Sequence, residues 1–423
     1  MSKIKSIKAR EILASGGTPS VEAEVELESG VAEKASVSFG VSAGKHEAAV
    51  IFDGDMDRYG GKGMLKAVEN IENQIAVEIL GMEVTEQREI DEKMIGLDGT
   101  EDKSRLGGNA ILAVSMAVAR AAAKDEGVPL YKYLGSVFGM DPSTVLRTSL
   151  PKPMMVMIEG GKHAVNTTDI QEYLCMPKGL ESAKAAIERN QEIYSQLGEV
   201  LKKNGLSTNV GNEGAYAPDG IESNEKPLKY LVEAIETLGL RPGEDAVLGI
   251  DAAASEFYQN GKYNLDRDGV SMDGENLIEY WLKWIEKYPI ATVEDLLFED
   301  DWENWTKLTA RLPSGVLNIG DDLTATNSKR WQKAIDTKAA NSILIKLNQA
   351  GTVSETMDCC ILAKVHGLPT IPSHRGGGET DDTFLVDLAV AVGSKYIKVG
   401  PTRGERVVKY NRLMEIEEEI KEN

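Results

Sequence analysis

From about residue 246 onward the chain repeats one pattern, a short apolar run closed by a polar residue. AVLGID closes at Asp251, ATVE at Glu294, LNIGD at Asp321, SILIK at Lys346 and LPTIPSH at His374, and YIKVG carries Lys398. From Glu294 to Lys398 the successive polar positions lie 27, 25, 28 and 24 residues apart. That is enough chain for one strand, one loop and one helix. Helical periodicity fills the gaps at 276–287, 328–337 and 352–366. Repeated βα units with polar groups at the carboxyl ends of their strands predict a (β/α)8 barrel with its active site on that face. A doubly wound sheet is the alternative α/β fold, but it carries a glycine-rich phosphate fingerprint after its first strand, and this sequence has none.

The chain before the repeats has a different texture. Val21, Ala23, Val25 and Leu27 alternate with Glu22, Glu24 and Glu26, Ser29-Gly30 makes a turn, and a second strand-like run covers 31–37. This is an antiparallel hairpin with one wet face. Gly40-Val41-Ser42-Ala43-Gly44 then places a small polar centre between two glycines, which suits a mobile loop. Helical periodicity follows at 64–80 and 110–124, the latter with an alanine-rich face for close packing. Strands followed by helices make an α+β module. The expected architecture is therefore a smaller α+β domain over 1–137 and a barrel over 138–423, ending in an amphipathic helix through Val408, Leu413, Ile416 and Ile420.

Composition narrows the function classes. The 423 residues carry 47 Lys+Arg against 68 Asp+Glu, a formal charge of −21. Such a surface repels phosphate, which argues against nucleic acid and anionic membrane as partners. Three cysteines, Cys175, Cys359 and Cys360, form neither a disulfide framework nor a zinc pattern, so a reducing compartment is expected. The start, MSKIKSIKAREIL, has no signal-peptide apolar core, and the apolar stretch 110–119 is too short to span a bilayer. A soluble cytoplasmic protein is expected.

Asp251, Glu294 and Asp321 end three successive apolar runs. On one barrel rim they would repel one another unless a hard divalent cation lay between them, and oxygen ligands alone favour Mg2+ or Mn2+. The alternative is that each is solvated or caps the next helix. Lys346 emerges beside this set as a potential base, or else snorkels off a buried strand. His163 and His374 are two of only four histidines, and His374-Arg375 precedes three glycines in a loop suited to an anion. His366 reads as structural and Cys359-Cys360 as helix packing. Gln171-Glu172 and Asn212-Glu213 add acids that serve either as helix caps or as a general acid. A lysine base, a carboxylate-bound Mg2+ and an opposing glutamate together specify proton abstraction next to a carboxylate. Enolase-superfamily sites are a known example of that device.

Longer motifs carry the same message. Ala9-Arg10-Glu11-Ile12-Leu13, Lys103-Ser104-Arg105-Leu106-Gly107-Gly108-Asn109-Ala110, Asp251-Ala252-Ala253-Ala254-Ser255-Glu256-Phe257, Gly320-Asp321-Asp322-Leu323-Thr324 and Lys346-Leu347-Asn348-Gln349 span nearly the whole chain. In them the sequence resembles the enolases. The resemblance implies a small α+β domain over a barrel that opens ββαα before (βα)6. It implies Mg2+ as cofactor, with Asp251, Glu294 and Asp321 as its ligands and Ser42 closing over a second metal. It also implies Lys346 as the base that removes the C2 proton of 2-phosphoglycerate, and Glu213 with Glu172 as the acid pair for the leaving hydroxide. His163, Gln171, His374, Arg375 and Lys398 would surround the substrate, a small phosphorylated carboxylate, and a homodimer or larger homo-oligomer would be the assembly.

The departures from the family pattern cluster at its motifs. D-S-R-G-N-P stands here as Ala14-Ser15-Gly16-Gly17-Thr18-Pro19, without the arginine used at the family's dimer interface. N-G-G-x-H-A-G has Glu159 for Asn and Val165 for Gly, and Phe39 enters the closing-loop motif. S-H-R-S-G-E-T has become Ser373-His374-Arg375-Gly376-Gly377-Gly378-Glu379-Thr380, longer by one residue and without the serine that helps hold phosphate. The loop from Lys398 to Arg403 is one residue shorter. Glycines 376–378 are expected either to restore the phosphate contact through their N–H groups or, with Phe39 and the shortened loop, to admit another substrate. The expected function is reversible dehydration of 2-phosphoglycerate to phosphoenolpyruvate in glycolysis and gluconeogenesis. A paralogue using the same chemistry on another phosphorylated hydroxy compound, in cofactor biosynthesis for example, is the alternative. A non-catalytic binding or structural protein is the third reading, and the complete acid–base set argues against it.

Overall fold

The computed structural model describes residues 2–40, 44–140 and 150–422. Three antiparallel strands, β1 (Ile4–Leu13), β2 (Pro19–Leu27) and β3 (Ala32–Ser36), open the chain in the order β1-β2-β3. Val21, Ala23, Val25 and Leu27 are wholly buried on one face of β2, and Glu22, Glu24 and Glu26 are only half-buried on the other. The expected hairpin is thus present, with β1 as a third strand that the charged sequence IKSIKAREIL concealed. The helical stretch expected at 64–80 starts at Leu65 and is interrupted by a wider π turn at Ile71–Ile75. Helices α1 (Gln87–Asp98), α2 (Gly108–Asp125) and α3 (Leu130–Val137) complete this part. Ten consecutive α2 residues from Ala110 to Ala119 are buried, because alanines let the helix approach its neighbours closely on all sides.

The second part is an eight-stranded barrel. Its strands are β4 (Lys152–Glu159), β5 (Glu172–Pro177), β6 (Ala246–Asp251), β7 (Ile290–Glu294), β8 (Leu317–Gly320), β9 (Ser342–Ile345), β10 (Thr370–Pro372) and β11 (Tyr396–Val399). The order is β10-β9-β8-β7-β6-β5-β4-β11, and a parallel bridge between Ser373 and Lys398 closes the ring. β5 runs antiparallel to both β4 and β6, and the remaining pairs are parallel. Two helices, α4 (Ala183–Lys203) and α5 (Lys226–Thr237), separate β5 from β6. After that each strand is followed by a helix, in turn α6 (Gly274–Lys287), α7 (Trp302–Arg311), α8 (Ser328–Thr337), α9 (Val353–Val365), α10 (Phe384–Ala391) and α11 (Val407–Glu422). This is the ββαα(βα)6 arrangement. His366 sits exposed at the C-terminal end of α9, and Cys359 and Cys360 are buried within it.

Strand alternation explains where the polar strand ends point. Leu174, Ile319, Leu344 and Tyr396 belong to one apolar cluster drawn from seven of the eight strands, the filling of the barrel. Glu172, Asp321, Lys346 and Lys398 each lie two residues from one of these, so the two-residue period of an extended chain directs them inward as well. They form the polar layer above the apolar filling. The α+β part closes over the helices beside this rim. Val353 and Ser354 N–H groups at the start of α9 donate to Ser115 Oγ and Asp91 Oδ2, both at 2.9 Å, and Arg120 pairs with Asp382 at 2.8 Å.

Candidate active site

Strand ends from the whole ring meet in one small cavity. Its lining includes Glu47, Glu172, Glu213, Asp251, Glu256, Asp295, Asp321 and Asp322, facing Lys346, Arg375 and Lys398 with His163 and His374. The acids outnumber the fixed cations, and most of these groups are buried. Of the residues singled out in the sequence, Gln171 also lines the cavity and Glu294 lies directly beneath it against Lys398. Ser42 lies outside the described residues.

Lys398 organises the centre. Its Nζ lies 2.8 Å from Asp251 Oδ2, Glu294 Oε1 and Glu172 Oε2. Burial would lower the pKa of this ammonium, but the three carboxylates hold it well above the usual lysine range. Burial and then Asp251 push Glu294 well above the usual carboxyl range. Glu294 Oε2 is buried and, among the described residues, receives no hydrogen bond. Beside this group Lys346 forms an ion pair with Asp321, whose other oxygen accepts from Gln349 Nε2 at 2.9 Å. Against their burial, Lys346 and then Arg375 hold Asp321 below its usual pKa, and Asp321 in turn holds Lys346 above its own. Asp295 supports this rim from behind by accepting the main-chain N–H groups of Asp321 (3.1 Å) and Asp322 (2.7 Å).

Asp251, Glu294 and Asp321 offer the oxygen-only donor chemistry that a hard cation takes. Asp251 and Glu294 pair in register on adjacent parallel strands, and Asp321 follows the last residue of the next. All three are buried, the donors are oxygen only, and one Glu294 oxygen lacks a partner among the described residues. Burial and neighbouring acids also drive Asp322 up to about 8, the sign of negative charge packed beyond what the resident lysines neutralise.

Across the cavity lies a second group. His163 Nδ1 is 3.7 Å from Glu172 Oε1 and 3.5 Å from Glu213 Oε1, and His374 Nε2 is 3.4 Å from Glu213 Oε2. Burial keeps His163 below the usual imidazole pKa. Burial and the Glu213 charge push Glu172 well above the carboxyl range, whereas His374 and His163 outweigh burial and hold Glu213 well below it. The two acids are thereby driven apart, Glu172 toward holding a proton and Glu213 toward losing one.

The loop after β10 meets expectation only in part. Arg375 faces the cavity and is held by Glu47 Oε2 at 3.1 Å. Glycines 377 and 378 do not present an open nest, because they form a two-residue antiparallel ladder with Gly40 and Phe39. Gly40 lets the Arg375 guanidinium lie against the main chain, where a Cβ would overlap it. A Cβ at Gly376 would fall 2.5 Å from Glu213 Oε1 and 2.9 Å from His163 Cε1, so the acid and the imidazole already fill the space of the family's serine. Phe39 is buried against Ala14 and Met64 and meets Phe52 edge-on at 6.1 Å, a packing role away from the cavity lining.

Sequence reasoning passed over four residues that hold these groups. Glu47 and Asp295 support Arg375 and the Asp321 rim as described. Glu379 Oε2 accepts the Arg375 N–H at 2.7 Å and lies 3.4 Å from His374 Nδ1, and Lys409 Nζ pairs with Glu379 Oε1 at 2.7 Å. Glu379 stands inside the glycine-loop motif and Asp295 next to Glu294, so adjacency was their only signal. Comparison with known families agrees with the geometry. The model described as the enolase N-terminal domain matches residues 4–134, and the one described as the enolase C-terminal TIM barrel domain matches residues 147–423.

Proposed function

The chain belongs to the enolase family, as an enolase-superfamily lyase, and on that premise we propose that it dehydrates 2-phosphoglycerate reversibly to phosphoenolpyruvate with Mg2+. The observation that carries this reading is the placement of Lys346 and the Glu172–Glu213 pair on opposite walls of one small buried cavity, with Asp321 beside the lysine. Asp251, Glu294 and Asp321 would hold the cation. Bound there, Mg2+ would supply positive charge beside the substrate carboxylate, and sharing Asp321 with it would favour the neutral Lys346 amine.

The chain's own groups do the rest. The Lys346 amine takes the C2 proton, and the electron pair left at C2 forms the double bond as the C3 hydroxyl departs. Glu172 carries the proton for that hydroxyl, and Glu213, fixed between two imidazoles, completes the pair. Arg375 holds the phosphate, which must draw it from Glu47. Lys398 anchors the carboxylate end. The filled space beside Gly376 and the engaged glycines 377 and 378 favour weak use of this substrate, and they keep open a related phosphorylated hydroxy acid.

The roles separate in deuterium oxide. Lys346→Ala should lose C2-proton exchange and elimination together, by about 10²–10⁴-fold. Glu213→Gln should retain exchange while losing elimination, because the C2 proton can leave before hydroxide does. Proton NMR of 2-phosphoglycerate incubated with each variant reads both. Equal loss of both reactions in both folded variants would overturn the assignment.

A further inference from the structure

Behind Glu213 lies a second carboxyl group that the proposed reaction does not use. Glu159 ends β4, is 0% exposed, and accepts the Glu213 main-chain N–H at 3.0 Å through Oε2 and 3.3 Å through Oε1. Residues 211–215 make a tight turn in which Gly211 N donates to Ala215 O, Gly214 N to Gly211 O and Asn212 N to His163 O. The Glu159 side chain fills the back of this turn, since a Cβ at Gly211 would lie 2.5 Å from Glu159 Cδ. Glu213 is therefore enclosed by Glu159 behind, by His163 and His374 at its sides, and by Gly376 in front.

We propose that Glu159 is the positioning residue of Glu213, holding the main chain of its turn so that the acid's carboxylate sits between the two imidazoles. The proposal rests on the reading of Glu213 as a member of the proton-donating pair. The charged and titratable groups that face Glu159 are Glu213 from the turn, Arg406 from the segment before α11, Tyr194 from α4 and Glu172 across the strand pair. Burial and then Glu213 push the Glu159 carboxyl up to about 8. At neutral pH it accepts the N–H without placing a second negative charge behind Glu213, and above about pH 8 it does place one.

The sign of the linkage gives a readout independent of turnover. A glutamate in the unfolded chain has a pKa of about 4.3, below that of the folded group. The folded protein therefore binds the extra proton, and its stability falls as pH rises from about 4.3 to about 8, then levels. Glu159→Gln keeps a carbonyl acceptor and removes the titration. Its melting temperature minus that of the wild type should climb over this interval and then flatten. In the Glu213→Gln background the same difference should shrink, because the Glu213 charge is one cause of the shift. A difference independent of pH, or unaffected by Glu213→Gln, would overturn the coupling.

The kinetic arm uses 2-phosphoglycerate with saturating Mg2+. Wild-type elimination should decline above about pH 8, and Glu159→Gln should keep neutral-pH elimination while removing that decline. Glu159→Ala should lower kcat for elimination by about ten- to a hundredfold at every pH, with C2-proton exchange and KM little changed. Retention of the alkaline decline in Glu159→Gln, or wild-type elimination in Glu159→Ala, would overturn the proposal. If the wild type neither exchanges nor eliminates, the substrate reading fails, and the melting-temperature differences alone decide the place of Glu159.

Discussion

At the scale of single residues, the site depends on what small residues make room for. Gly40 allows the Arg375 guanidinium to reach Glu47 across the main chain. Adding a Cβ there displaces the far end of one side chain and no backbone, so function should suffer more than folding. Gly40→Ala should raise KM for 2-phosphoglycerate by about ten- to a hundredfold, the equivalent of about 1.5–3 kcal/mol for a disturbed charge-assisted hydrogen bond. Its kcat and melting temperature should change little. Steady-state kinetics beside a thermal melt checks this, and an unchanged KM would remove Arg375 from substrate binding. The case of Gly376 shows where residue-level reading stops. A lost serine hydroxyl is visible in the sequence, but the occupation of its space by Glu213 and His163 depends on atoms contributed from two distant segments.

At the scale of elements, the six barrel strands from β6 to β11 were legible as short apolar runs, each carrying a polar group at or near its end, and the structure shows Asp321, Lys346 and Lys398 in the inward parity of those strands. β1 was not legible. Only Ile4 and Ile7 of its ten residues are buried, as befits an edge strand whose charged side chains meet solvent. The small sheet of Tyr258–Gln259, Lys262–Leu265 and Val270–Met272 was missed because its strands are too short to show a period. The ladder between Phe39–Gly40 and Gly377–Gly378 could not be read at all, since pairing across more than three hundred residues leaves no local trace. That ladder has its own test. A Cβ at Gly378 would overlap the Phe39 carbonyl, which is main chain and cannot swing aside. Gly378→Ala should therefore cost about 1–3 kcal/mol of stability, measured by denaturant unfolding. A variant as stable as the wild type would mean that the two strands separate freely.

At the scale of the whole molecule, charge and metal are linked. The chain carries a net −21, and part of that excess converges on the barrel rim as buried carboxylates. A cation that binds only the folded state stabilises it by mass action, by about 2.7 kcal/mol at a hundred times its Kd. Added Mg2+ should thus raise the melting temperature, EDTA should reverse the rise, and Asp321→Asn should remove most of it. A melting temperature indifferent to millimolar Mg2+ would leave the three strand-end acids without a metal role.

The central claim, that Lys346 and the Glu172–Glu213 pair act on 2-phosphoglycerate, is tested most directly by following ultraviolet absorbance as purified protein is mixed with 2-phosphoglycerate and Mg2+. The conjugated enol product absorbs where the substrate does not. The account predicts a slow, Mg2+-dependent rise that Lys346→Ala abolishes. No rise from folded, Mg2+-replete protein would contradict it and assign the same residues to a different phosphorylated hydroxy acid.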